Sequence, residues 1–293
     1  MPKPTFATLT PPNNRTFLRV HSSSSASPLR WTGDPATSGF SALNTNLALL
    51  TPTAYTAAME RSHPDPLPWT GWDIGLHTAH SVLDHLIRRA VPLVPGVHAA
   101  DDASPWISTT SNPTWAVWEI ARRLSPPPVP VHAFVVAAPA AEELVELAVI
   151  VPTVEAHLDP LPVVRSLWRD RGDGDGGKRT GNQRSALQHA EFGARACDET
   201  LFYGRVFAQS IIANYEFTRE VGSRGDIPID LPEHFFRHPL RAGDSWVDAL
   251  VWRPDVHSFP QALDLLESNR RRVQQNQRQR VAATAVEQAV LRR

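Results

Sequence analysis

Ser108, Thr109, Thr110 and Ser111 stand in single file at the end of a short apolar run, in WISTTSNP, just before a proline that opens a helical pattern. Far upstream, Arg19 lies in the strand-like run RTFLRVH, and far downstream the acid pair Asp198-Glu199 precedes another β-rich stretch. Hydroxyls at a strand end cap the next helix or hold a polar ligand. A guanidinium in a strand pairs with a surface acid or grips anionic oxygens. Two neighbouring acids make a solvated turn or supply one working carboxylate.

Other constellations carry less chemistry. Gly172–Arg179 (GDGDGGKR) has the G-x-x-x-x-G-K frame of a phosphate loop, but Arg179 stands where a Ser or Thr must hold magnesium, and no apolar strand feeds into it. The same segment lacks the closing Glu of a calcium loop. The histidine pairs His77/His80, His80/His85 and His234/His238 invite a metal reading, but the first and third, at i,i+3 and i,i+4, have no nearby carboxylate of the H-E-x-x-H kind, so no metal is expected and the histidines are assigned to helix surface or packing against tryptophans. The stretch Arg270–Arg280 mixes five arginines with Gln and Asn and has no aromatics for base stacking, which reads as the wet face of a helix or an association segment.

These residues need elements to position them. RTFLRVH reads as a strand over Arg15–His21, and Leu76–Ala90 as a helix with Leu76, Ala79, His80, Leu83, Leu86 and Ile87 on one face. Trp106–Thr110 reads as a strand, followed by a helix that Ser111 or Asn112 caps and Pro113 starts, with Val117, Ile120, Ala121 and Leu124 buried. Val129–Ala138 reads as a central strand, and Ala140–Val151 fits helix and strand alike. The Gly-rich charged segment 169–185 is expected to be mobile, Ala186–Ala196 to be a short helix, and Ser210–Phe217 to hold a strand. Pro-punctuated turns then lead to a final helix over about Gln261–Leu291.

With 293 residues and 42% hydrophobic content the chain can build a substantial core. Its 29 basic and 30 acidic side chains nearly cancel, so no global field selects nucleic acid, anionic membrane or acidic substrate. The single cysteine, Cys197, excludes an internal disulfide and a Cys-based zinc site. The start lacks an apolar core of a signal sequence, and no 18-residue apolar run occurs, so an intracellular, cytoplasmic protein without membrane contact is expected.

Taken in order, PheLeuArgValHisSer around Arg19, SerThrThr at 108–110 before SNPTWAVWEIA, and Glu199 followed by Gly204, Val206 and Ile211 resemble the Arg-Ser-Glu class of mono-ADP-ribosyltransferases. That family includes the heat-labile enterotoxin, cholera and pertussis catalytic chains and uncharacterised fungal domains. The resemblance spans roughly residues 15–220, with long unmatched stretches between the three blocks.

The resemblance implies an α+β fold, with split antiparallel β-sheets and flanking helices around an NAD cleft over 15–222. A disordered lead-in at 1–14 and a helical C-terminal extension at 223–293 complete the expected organisation. It implies transfer of ADP-ribose from NAD to a macromolecular acceptor, protein rather than nucleic acid, or to water. Glu199 would be the catalytic carboxylate, Arg19 would grip the pyrophosphate, and Ser108, supported by Thr109 and Thr110, would hold the ribose and the Glu199 side chain. Phe192 and Cys197 would face the acceptor, and the last helix would serve a partner or self-association.

Three departures stand out: Thr110 replaces a Ser, His21 replaces an acid, and Cys197 stands two before Glu199 where the family has Glu or Gln. The last leaves the acceptor open and keeps two alternatives in view. One is an inactive domain of the same fold that serves as an interaction module; the other is an unrelated helical interaction protein.

Overall fold

The computed structural model describes residues 3–9, 15–25, 27–35, 37–42, 82–83, 85–86, 104, 106–126, 141–153, 155, 157–169, 181–220, 227–241 and 243–291. The described residues form a mixed α+β structure with antiparallel sheets and several helices. The segment Val129–Ala138, most of 169–185 including the GDGDGGKR run, and most of the helix expected at Leu76–Ala90 lie outside them; residues 82, 83, 85 and 86 are helical. Contacts divide the chain into two compact units, one of Leu9–Ala116 with Glu146–Tyr215, the other of Met1–Thr8, Val117–Val145 and Glu216–Arg293. Both units are discontinuous in sequence.

The first unit holds a six-stranded sheet in the order β6-β7-β4-β1-β5-β9 and a three-stranded sheet in the order β2-β3-β8. The strands are β1 (Phe17–His21), β2 (Leu29–Arg30), β3 (Gly39–Ser41), β4 (Trp106–Thr110), β5 (Val145–Ile150), β6 (His157–Leu158), β7 (Glu199–Tyr203), β8 (Arg205–Phe207) and β9 (Ile211–Phe217). Five antiparallel pairs, Phe17–Ile150 to His21–Glu146, join β1 to β5 and resolve the ambiguous 140–151 segment as a strand. All five residues of β1 are buried, which explains why that strand shows little polar alternation.

Alternation along the strands divides the buried side chains into two layers. Phe17, Ile107, Ala148, Ile150 and Phe202 form one core with Phe40 and Val206 of the smaller sheet. Trp106 and Leu201 pack with Val82, Leu86 and the helical residues Val163, Val164, Leu187, Ala190 and Ala194. The helices supplying them are α2 (Pro160–Arg169) and α3 (Gly181–Ala196), which follow α1 (Pro113–Leu124) in the chain. Gly39 lets the two strands β3 and β8 approach closely: it has φ of +121°, and a Cβ there would meet the Val206 carbonyl at 2.1 Å.

Helix α1 begins as its sequence dictates. The Asn112 Oδ1 accepts from the Trp115 N–H at 3.1 Å, Pro113 opens the first turn, and Val117, Ile120, Ala121 and Leu124 are fully buried. Helix α3 starts at Gly181, five residues earlier than the expected Ala186, so the end of the Gly-rich segment is helical.

The second unit holds α4 (Trp246–Ala249) and α5 (Phe259–Leu291), with buried rings meeting in two pairs, Phe217 with Trp246 at 6.1 Å and Phe235 with Trp252 at 5.7 Å between centres. Residues 3–8 belong here: Thr5 bridges to Asp230, Phe6–Thr8 is a 3-10 turn, and the Phe6 ring meets Phe235 edge-on at 5.1 Å. The aromatic ring supplies the burial that holds this segment down.

Candidate active site

Strands β4 and β7 run antiparallel along their whole length, from Trp106 opposite Tyr203 to Thr110 opposite Glu199. Glu199 therefore opens a strand of its own. It does not precede one at a distance, as the sequence suggested. The register puts Thr110 directly across from Glu199 and Ser108 across from Leu201, so Ser108, Thr110, Glu199 and Leu201 share one face of the sheet. Ser108 is the diagonal neighbour of Glu199.

Asp198 sets the turn that delivers Glu199. It has a φ of +46°, the left-handed conformation that ends helices and that Asp tolerates better than most residues. The two adjacent acids thus have opposite fates: Asp198 is exposed and Glu199 is 5% exposed. A solvated acidic turn would leave both in water.

The hydroxyl run separates into distinct jobs. Thr109 Oγ1 donates to the Thr200 carbonyl at 2.8 Å, and Thr110 Oγ1 donates to the Cys197 carbonyl while accepting from the Asn112 N–H at 2.9 Å. These protons are spent on backbone, so Thr109 and Thr110 lace β4 to the α3–β7 turn. Ser108 Oγ instead meets His85 Nε2 at 2.8 Å, and His85 Nδ1 meets Ser104 Oγ at 2.6 Å. His85 bridges two serines and orients the one that lies beside Glu199.

Arg19 enters from β1. The described residues of β1 and β4 are in register at Leu18–Thr110, and beyond that pair the Arg19 guanidinium reaches across. Its Nη1 donates to the Ser108 carbonyl at 2.7 Å and its Nη2 to the Ser27 carbonyl at 2.9 Å, while Cζ lies 4.9 Å from the Phe40 ring centre. At 9% exposure and with two donors on carbonyls, this side chain holds the backbone of Ser108. These contacts give Arg19 a positioning role toward Ser108.

Cys197 is 2% exposed, and its Sγ lies 3.1 Å from the Gly193 carbonyl and 3.8 Å from Glu199 Oε2. The thiol is turned into the core, next to Glu199. Phe192, by contrast, is 61% exposed on α3, opposite the face carrying Leu187, Ala190 and Ala194.

His21 is fully buried. Its Nε2 meets Asn214 Oδ1 at 3.1 Å and its Nδ1 lies 3.5 Å from Glu146 Oε2, so the acid missing from its position is supplied by β5. At the far end of the β7 face, burial pushes the Tyr203 hydroxyl up from its ordinary value. His157 stacks on Phe202 at 5.2 Å, and burial pushes its imidazole down, which favours the neutral ring.

The partnership of His85 with Ser108 is not legible in the sequence, because the two are 23 residues apart and His85 stands there as one of a histidine pair. Among the described residues, no three His, Cys, Asp or Glu side chains are grouped to hold a metal ion. His234 lies in the 3-10 turn Glu233–Phe235, which ends before His238, so the two do not share a helix face.

No family model matches the chain, and no curated protein sequence matches it. Among solved structures it is similar to EcPltA, at 15% identity over 73% of this chain and 80% of that chain, with a TM-score of 0.32.

Proposed function

We propose that the chain is an ADP-ribosyltransferase-type enzyme that splits the nicotinamide–ribose bond of NAD and passes ADP-ribose to a macromolecule or to water. The observation that supports it is the convergence of three segments distant in sequence: Arg19 holds the Ser108 backbone, and Ser108 shares a sheet face with Glu199.

In this reading the C1′–N bond of NAD breaks with its electron pair going to the nicotinamide nitrogen, which neutralises the ring. C1′ is left with oxocarbenium character, as in glycoside cleavage. Glu199, a carboxylate held in a largely buried place, stabilises that developing positive charge more than it stabilises the ground state. A water or an acceptor nucleophile then bonds to C1′ and releases its proton. Ser108, fixed by His85 and through its carbonyl by Arg19, orients the groups around the ribose.

Nicotinamide release from NAD by the purified protein tests this. Glu199→Gln keeps the shape and removes the charge, so turnover should fall on the order of 100-fold or more. Equal turnover in wild type and Glu199→Gln would refute the assignment of Glu199. A wild-type protein that folds and releases no nicotinamide would favour an inactive domain acting as an interaction module.

A further inference from the structure

Helix α5 changes character along its length. Its first turns are anchored: Phe259, Ala262, Leu266 and Asn269 are buried, and the Asn269 amide donates to the His234 and Phe236 carbonyls at 2.7 and 3.0 Å. From Arg270 to Thr284 every side chain is exposed except Val273, which is partly covered. This stretch carries Arg270, Arg271, Arg272, Arg278 and Arg280, and no acidic residue lies between Glu267 and Glu287. Five positive charges within eleven residues are therefore concentrated in a chain whose net charge is −1.

From these features we infer that the exposed stretch of α5 is an arm that binds duplex DNA. At 100° per residue the five arginines point to several sides of the helix, so like charges surround it and no broad apolar face exists for a lipid surface. Val273 and Val281 are eight residues apart, with Asn276, Gln277 and Arg280 between them, which leaves no heptad seam for a second copy. A partner with regularly spaced negative charge complements such a helix, since guanidinium groups engage phosphates with paired donors.

The interleaved Gln274, Gln275, Asn276, Gln277 and Gln279 carry amides suited to base edges. The arm has no aromatic residue on which unpaired bases could stack. The major groove of B-form DNA admits an α-helix, and the deep, narrow one of A-form RNA does not. Arg270–Arg280 spans about 16 Å, enough for its arginines to reach both phosphate rims of one groove.

The test is fluorescence anisotropy of a labelled DNA duplex of about 20 base pairs, roughly two helical turns, titrated with the full-length protein. Arg271 also pairs with Glu267 at 3.2 Å, so four arginines set the expectation. Four neutralised phosphates give a log–log salt slope near −3.6, or on the order of 100-fold weaker binding at about 200 mM than at about 50 mM salt. Arg278→Gln should reduce the slope by about 1, and combined Arg270, Arg272, Arg278 and Arg280→Gln should remove binding while the circular dichroism spectrum stays that of the wild type. Absence of duplex binding at low salt, or binding that survives the combined substitution, overturns the inference. Tighter binding to single-stranded DNA, to duplex RNA or to phosphatidylserine vesicles than to the DNA duplex also overturns it, as does protein dimerisation without DNA binding.

Discussion

Replacing Arg19 separates its two conceivable roles, a ligand for substrate phosphate and a brace for Ser108. The guanidinium donates to the Ser108 and Ser27 carbonyls at 2.7 and 2.9 Å and is 9% exposed. Arg19→Met removes both charged donors and strands two carbonyls, at about 1.5–3 kcal/mol each, or about 3–6 kcal/mol together. That is a large share of a typical domain's stability, so Arg19→Lys is the more informative change. One ammonium can satisfy one of the two carbonyls, and urea unfolding of Arg19→Lys should show a loss of about 1.5–3 kcal/mol. Because the change acts on Ser108 through its backbone, turnover of NAD should fall chiefly in kcat. The brace is refuted if Arg19→Lys unfolds within about 0.5 kcal/mol of wild type while its KM for NAD rises steeply, the pattern of a direct phosphate ligand.

Two further outcomes concern His85 and Glu119. His85→Gln should lower kcat for NAD on the order of 100-fold through misplacement of Ser108, with KM changed little and the unfolding midpoint close to wild type; a loss confined to KM would contradict the Ser108–His85 coupling. Burial alone would push the Glu119 carboxyl up, but the hydrogen bonds and charges of Arg122 and Arg123 outweigh it and hold it at about 2. Its folded value lies below the usual 4.5, so the stabilisation is complete above that pH and is lost as pH falls toward 2. With Arg122 half exposed, about 2–3 kcal/mol should disappear over that window, and acid unfolding curves of Glu119→Gln should lack this component.

Local chemistry was legible in the sequence wherever a short stretch determined it. The Asn112 cap, Pro113 and the Val117, Ile120, Ala121, Leu124 face belong to one helix, and their structure follows from spacing alone. Strand β5 was ambiguous because LeuAlaValIle fits both periods, and only its five pairs with β1 decide it. Helix α2 went unread because Pro160 and Pro162 look like breakers, although both stand in a first turn where prolines are tolerated and the Asp159 carboxylate accepts from the Leu161 N–H. The Arg19 bonds to the Ser108 and Ser27 carbonyls are not legible in the sequence, because backbone partners leave no trace in residue identity. His85 and Ser108 were visible as residues but not as a pair, since nothing in either neighbourhood encodes the other.

The hydroxyl run shows how a single segment can build a site without supplying its reactive group. Thr109 Oγ1 bonds the Thr200 carbonyl, Thr110 Oγ1 the Cys197 carbonyl, and the Ser111 N–H the Asp198 carbonyl at 3.2 Å. Three consecutive residues therefore grip the backbone on both sides of Glu199, at 197, 198 and 200. This clamp holds the left-handed turn at Asp198, and the strand alternation that follows fixes the face on which the Glu199 carboxylate lies. Ser108 alone among the run's three strand residues turns its hydroxyl to a side chain, His85, on that same face. The run thus divides into a clamp at 109–111 and one hydroxyl at 108 on the face that carries Glu199, so replacing Thr110 should disturb Glu199 through the turn while replacing Ser108 should leave that turn in place.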